Sequence, residues 1–571
     1  MKKNDKRVLC FSVAVLSALI LAGPSGLQAA PQQTPTEPQV LTNAVANQPI
    51  HFDVSPSLVE LASKAGSPQT VRSTHKPRQP KLEKFNAAGH QRVPRVSGAR
   101  SMSSDPLISA TIGLGFEGVG NTSVLNCPSV AGITVVPPDT NAAVGDTQVV
   151  EWVNVCYAVF DKFTGALIKG PISGDAFWAG FGGGCEADND GDIIIQWDKS
   201  NHRWLASQND FGPNFTGPYQ TCIAVSQTAD ATGSYFRYAF PQPGFPDYPK
   251  WGLTSSVYYQ TQNNFGLDDG FQGVTVCGYD ADLMLKGSSK ATQVCIVDNS
   301  NGTLFDDSML PADDDSDHGP AKSEVLMGAI DNFLPGDTHV YEYLFDVNFG
   351  NPSKSTLAGV DGSMPISVPA FDLAFCTNPS LTTYCVPQPS PGSELLDTLG
   401  DRLMYRLAHF NEHGTQHFLV THSVNNTTAV AQRWYEFRSQ GLGNVKKLSL
   451  YQSGETPDDG EYRWMGSVAM DQAGDIALGY SRSSAASGDY PSIYYSGQTA
   501  GDTPGTTETE ALIKQGGGSQ FNSFNRWGDY TSMALDGVDS CTFWYANEYY
   551  PVDGSFAWAT WLASLKFPNC R

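Results

Sequence analysis

A short motif returns along this chain, and no other feature constrains the fold as strongly. A charged residue stands at the foot of a β-like run, often beside Trp-Gly or Trp-Met-Gly, and aromatic-rich hairpins follow. It is plainest in Lys250-Trp251-Gly252, Arg463-Trp464-Met465-Gly466 and Arg526-Trp527-Gly528-Asp529, and looser at Asp139, Asp192, Lys322 and Arg402. Seven returns, spaced by roughly fifty to eighty residues, predict an all-β chain: a seven-bladed β-propeller of four-stranded antiparallel blades. An eight-bladed propeller or a pair of β-sandwiches is the alternative.

The second blade reads most clearly, with strands near 192–198, 203–209, 221–227 and 235–240. The last blade offers only three, near 527–535, 542–550 and 556–567. Leu107 to Phe116 is a β-like run just before the first blade. Pairing it with the last blade would supply the missing strand and remove an exposed edge. Inserts at 298–320 and 351–398 interrupt the middle blades, and loops of that length are more often functional than decorative.

Composition divides the chain in three. Lys2, Lys3, Lys6 and Arg7 precede an apolar stretch, Val8 to Ala22, with small residues at Ala29 and Ala30, so residues 1–30 read as a signal peptide. Residues 31–105, rich in Pro, Gln and Ser with few aromatics, read as a disordered basic linker, and 106–571 as the propeller. No later segment is apolar enough to span a bilayer. The chain is expected to be secreted, periplasmic or extracellular. Net charge is −23, while the linker holds nine basic against five acidic side chains, so the acidic excess lies in the body. Such a body does not seek nucleic acid or an anionic membrane. Ten cysteines remain after Cys10, an even number that suggests disulfides in an oxidising compartment. Cys376 with Cys385, and Cys541 with Cys570, are the pairings the spacing suggests.

The residues that open the strands would stand at one mouth of the axial channel. Arg402, Arg463 and Arg526 fall on consecutive blades, and three converging guanidinium forks would hold an acidic sugar. Lys250, Trp251, Trp464 and Trp527 complete the candidate binding set. A glycosidase needs an acid and a nucleophile, for which Asp529, Glu461, Asp192, Tyr462 and Tyr530 are candidates. A polysaccharide lyase needs a base beside a cation, a part His318, Tyr405 and Arg402 could play. The same arginines could instead pair with acidic neighbours and tie the blades together.

Two loops, Asp188-Asn189-Asp190-Gly191-Asp192 and Asp313-Asp314-Asp315-Ser316-Asp317, offer oxygen ligands for a structural Ca2+ through Asp188, Asp190 and Asp192, although neither is an EF-hand. No cofactor is required. His409, His413, His417 and His422 fall close together, but on a hairpin at most His409 or His413 could share an ion with His417.

The stretches Asn525-Arg526-Trp527-Gly528-Asp529-Tyr530, Cys541 to Tyr550, Asp401 to Leu407, Arg463 to Ser467 and Pro137 to Asn141 resemble an uncharacterised family of secreted bacterial β-propeller proteins over nearly all of 106–571. That resemblance implies fold and export but no mechanism. More distantly, the pattern is similar to sialidase-type propellers, although their Ser-x-Asp-x-Gly-x-x-Trp boxes are not found here. Two functions are therefore expected. One is engagement of an acidic glycan or surface polymer at the axial mouth, as a glycoside hydrolase or polysaccharide lyase. The other is a non-catalytic extracellular scaffold for a protein partner.

Overall fold

From residue 110 onward, β-branched and aromatic residues favour extended backbone, and Asp, Asn and Gly at the turns fold it back on itself. The computed structural model describes residues 39–64, 110–127, 137–187, 190–266, 270–298, 307–316, 323–329, 336–360, 363–374, 384–440, 447–521 and 525–571. The all-β class is as expected. Antiparallel meanders follow one another along the chain.

The first meander is Thr140–Val144, Gln148–Val153, Cys156–Asp161 and Leu167–Ser173. The second runs through Ile194–Asp198, Arg203–Asp210, Gln220–Ser226 and Tyr235–Pro241, close to the four strands read from sequence. The third is Phe245–Leu253, Val257–Phe265, Phe271–Asp280 and Gln293–Asp298. Two four-stranded sheets end the chain, one opening with Tyr462–Met470 and the other with Ser532–Leu535.

Thr111–Gly120 pairs antiparallel with Ala559–Lys566, matching Gly120 to Ala559 and Lys566 to Thr111. The segment before the first meander thus joins the last sheet, as the missing strand suggested. The hydroxyl of Ser532 donates to the Ala142 carbonyl at 2.6 Å and accepts from the Ala142 N–H at 3.2 Å, setting the last meander beside the first.

The sheets are not uniformly four-stranded. Leu310–Asp314 runs parallel to Met404–Glu412, pairing Ala312 with Leu407, and fuses the fourth and fifth meanders into one ten-stranded sheet. The other enlargement comes from a segment the sequence placed in a disordered linker. Val40–Leu41 pairs with Thr356–Ala358, Val45–Asn47 with Gln293–Asp298, and His51–Val54 with Tyr235–Pro241. Residues 39–64 therefore run along the outer edges of the fourth, third and second meanders and end in a short helix, Leu58–Lys64. Their composition cannot build a core of its own, but three open sheet edges supply the hydrogen bonds and the helix borrows an existing core. Residues 1–38 and 65–109 lie outside the described residues, as does the proposed signal peptide.

Trp152, Trp178, Trp204, Trp251, Trp434, Trp464, Trp527 and Trp558 are all fully buried between the sheets. Truncating any one to Ala would cost about 3–5 kcal/mol. Disulfides join Cys127 to Cys156, Cys185 to Cys222, Cys277 to Cys295 and Cys541 to Cys570. The last ties the chain end to the final sheet, as expected. Cys385 is disulfide-bonded as well, and Cys376 lies outside the described residues. Four disulfides are typical of proteins that mature in an oxidising compartment. Among the described residues no helix is long and apolar enough to cross a membrane.

Candidate functional site

The charged motif corresponds to a backbone feature. Asp139, Asp192, Tyr248, Ser308, Leu399, Met465 and Asn525, at or near the first strand of successive meanders, all have φ between 44° and 61°. Non-glycine residues adopt this left-handed region at a cost of order 1 kcal/mol or more each. At Tyr248 and Met465 it coincides with an irregularity in strand register.

Lys250 shows what those feet enclose. Its Nζ lies 3.3 Å from the ring centroid of Tyr248, 4.2 Å from that of Tyr530 and 6.0 Å from that of Tyr405, and donates to the Pro249 carbonyl at 3.0 Å. The residue is 0% exposed. Burial pushes the Lys250 ammonium down to about 7, although Asp192 and Asp139 pull the other way. Burial also pushes Asp139 up to about 6 against the attraction of Arg526, and raises Asp192 well above the carboxylate range, helped by Asp247 and Asp139. Lost solvent disfavours the charged forms of Lys250, Asp139 and Asp192 alike. Tyr530 donates to the Ile193 carbonyl at 2.9 Å, and the N–H of Asp529 donates to Asp139 Oδ1 at 2.8 Å.

The three arginines do not share an open pocket. Arg402 grips Asp401 through Nε at 2.8 Å and Nη2 at 3.0 Å, with its guanidinium 4.6 Å from the Tyr248 ring. Arg463 is held on both sides: Nε and Nη2 donate to Glu510 at 2.8 Å each, while Nη1 and Nη2 donate to Asp459 at 2.8 and 2.9 Å. Burial opposes its charge, yet these two carboxylates hold the guanidinium above its ordinary value. Arg526 pairs with Asp529 and stands 3.7 Å from Asp397. All three are 6% exposed or less. Trp251, Trp464 and Trp527 are 0% exposed, and the Trp527 indole donates to Ser481 at 3.1 Å, so none presents a face for a sugar ring.

Glu461 is placed differently, at the edge of the sixth meander. Arg482 spans the gap between acids, with Nη1 2.6 Å from Glu510, Nη2 3.4 Å from Asp489 and Nε 3.7 Å from Glu461. Partial burial and the Asp489 carboxylate push Glu461 up to about 7. Asp489, despite its own burial, is held low by the hydrogen bond from Glu461 and by Arg482. Proton affinity is thus raised at Glu461 and lowered at Asp489. The side chain of Glu461 keeps 29% of its surface exposed. Tyr462 is half-buried in the same strand foot.

Arg406 was not among the candidate residues read from sequence. Its Nε donates to the Met533 carbonyl at 2.9 Å, Nη1 to Asp313 at 2.9 Å and Nη2 to Asp315, and Asp315 also takes Lys199. Beside them is a cavity of about 20 Å³ lined by Gln196, Tyr405 and Arg406, among others, large enough for one water. The acidic run from 313 thus spends Asp313 and Asp315 on cations, and Asp314 bonds His409 at 3.1 Å.

The histidines have separate partners. His417 meets Glu436 at 2.8 Å and His422 meets the Tyr435 hydroxyl at 3.0 Å, with His422 pushed down to about 3 by burial and Arg433. His413 sits in the hairpin turn with φ 50°. Asp190 accepts from the Phe211 N–H at 2.9 Å, and Asp192 lies beside Lys250. Asp188 and His318 lie outside the described residues. Among the described residues no three metal-ligating side chains converge.

No family model matches the chain, and no curated protein does. Solved structures do match at low identity. The polysaccharide lyase Uly1 is 10% identical with a TM-score of 0.37, over 81% of this chain and 98% of its own. The phage phi92 endosialidase is 7% identical with a TM-score of 0.34, over 81% of this chain and 70% of its own. A protein of unknown function from Dyadobacter fermentans is 10% identical with a TM-score of 0.30, over 66% of this chain and 94% of its own. Identities and scores this low assign no activity to this chain.

Proposed function

We propose that this chain is a secreted seven-bladed β-propeller that binds an extracellular partner without chemically transforming it. The observation that carries this reading is the individual pairing of Arg402, Arg463 and Arg526 with acids of the same chain. A guanidinium that is buried and already paired with a carboxylate of its own chain is poorly placed to take a ligand carboxylate as well. Net charge points the same way, since a chain at −23 repels a polyanion at long range. The blade count rests on the seven left-handed strand feet and on the meander order, with the fused sheet read as two blades joined by a parallel contact. Export rests on the N-terminal apolar stretch and on the disulfides.

One observation favours a second reading, a hydrolase or lyase acting on an acidic glycan. Glu461 and Asp489 have their proton affinities pushed apart, the pattern of an acid beside a base, and Glu461 reaches solvent. The full-length protein should be incubated with sialylated and uronate-containing polysaccharides, beside a Glu461→Gln variant that retains native circular dichroism. The binding reading expects no product from either protein. Product from the wild type that disappears in Glu461→Gln would establish the enzyme, and its chemistry would separate hydrolysis from elimination.

A further inference from the structure

We propose that the outer edges of the second, third and fourth meanders form a strand-accepting docking surface with Arg237 as its anchor. Residues 39–64 are a tethered ligand of that surface, exchangeable with the same segment of a second copy. This inference goes beyond the binding role above and does not depend on it.

The strap is held as a peptide is held by a sheet edge. Its three strands pair through backbone groups, Val40 with Ala358, Val45 with Cys295 and Val54 with Phe236. Its large apolar side chains mostly face outward: Val40, Val45, Ile50, Val54 and Val59 are 48% to 59% exposed. Leu58 and Leu61 of the terminal helix enter a core beside Phe177 and Trp178, while Leu41, Ala44, Phe52 and Ala62 pack partly buried against the body, the Phe52 ring 5.0 Å from that of Tyr238. Backbone pairing along an open edge with few buried side chains is the mode by which sheets capture extended peptides.

A charged pair reinforces the register. Asp53 lies opposite Arg237 and accepts from Nε at 2.9 Å and from Nη2 at 2.6 Å. Nη1 is already satisfied by the Phe177 and Ala179 carbonyls at 2.9 and 3.2 Å, and the guanidinium rests 5.2 Å from the Phe181 ring. Arg237 is 1% exposed with the strap in place, and removing the strap would take the Asp53 carboxylate from its Nε and Nη2 and leave a cation at an open edge. That edge would then select an extended segment carrying a carboxylate at one position. The strap is such a segment, and every copy of the chain carries one.

The tether permits exchange. Forty-five residues separate Lys64 from Ala110, a reach on the order of 150 Å when extended. A tether of this length favours a copy's own strap by proximity rather than by geometry, so weakening that contact should let a neighbour's strap compete.

The test uses two full-length variants, Asp53→Arg and Arg237→Asp, studied alone, mixed, and combined in one chain. In each single variant the strap faces a like charge on its own body. In the mixture each strap faces an opposite charge on the other body. Sedimentation should show monomers for each variant alone, a one-to-one dimer for the mixture, and a monomer again for the Asp53→Arg/Arg237→Asp double variant. Two results would overturn the proposal. One is a mixture that stays monomeric while both variants retain native circular dichroism. The other is loss of the cooperative fold in either single variant with rescue in the double, which would make the strap a fixed part of the core.

Discussion

Arg463 and Glu510 meet through two parallel hydrogen bonds of 2.8 Å, from Nε and Nη2, across 47 residues of sequence. The pair fastens the foot of Tyr462–Met470 to the turn before Ala511–Lys514, the outermost strand of the same sheet. With Asp459 on the other side, the guanidinium works as an internal clamp.

Removing one partner of a buried charge pair costs more than the pair contributes, because the remaining charge is stranded. Arg463→Ala and Glu510→Gln should each lose about 3–5 kcal/mol in urea denaturation. The double variant should lose much less than the sum, since the two residues share one network. Additive losses would show that the contact is not energetically coupled.

Glu461 supplies a pH dependence whose sign follows from its raised proton affinity. Its carboxyl titrates near 4.5 in the unfolded chain and near 7 in the fold. The folded state therefore holds the proton more tightly, and this contribution is full below pH 4.5, fades between 4.5 and 7, and is gone above 7. Glu461→Gln keeps a hydrogen-bond donor toward Asp489 at every pH. Its melting temperature should match the wild type near pH 4.5 and exceed it above pH 7. A pH-independent difference would show that the fold does not hold the Glu461 proton more tightly than the unfolded chain does.

The glycines of the repeated motif are not equivalent. A Cβ on Gly252 would stand 2.2 Å from the Ala312 carbonyl oxygen, on the backbone of the next meander. A Cβ on Gly528 would meet nothing nearer than 3.9 Å. Gly252→Ala should cost about 1–3 kcal/mol through backbone displacement. Gly528→Ala should change stability by no more than about 0.5 kcal/mol, the ordinary range away from such features. Thermal melts of the two variants separate them directly, and equal melting temperatures would remove the packing reason for Gly252.

Much of the architecture was legible. The four strands of the second meander fell within one or two residues of their expected places, because alternation and turn residues act locally. The short last sheet required a further strand, and Thr111–Gly120 supplied it. The Cys541–Cys570 link followed from proximity to the chain end. The strap was not legible, since residues 39–64 bury little of their own and fold only on edges made by residues roughly two to three hundred positions later. Arg406 was invisible for a similar reason: Asp313, its partner, is 93 residues away and was read as part of an acidic loop.

The chain by itself determined its class, its punctuation and the repeated charged strand feet, because backbone preference and hydrophobic spacing are set within a few residues. Only the tertiary structure decided what those charges do. Whether a guanidinium is a ligand's anchor or a clamp depends on which carboxylate the fold brings within 3 Å of it. For Arg463 that carboxylate is Glu510, and for Arg237 it is Asp53, 184 residues away. Coulomb energy between buried charges falls with distance and solvent access, neither of which is written in sequence order.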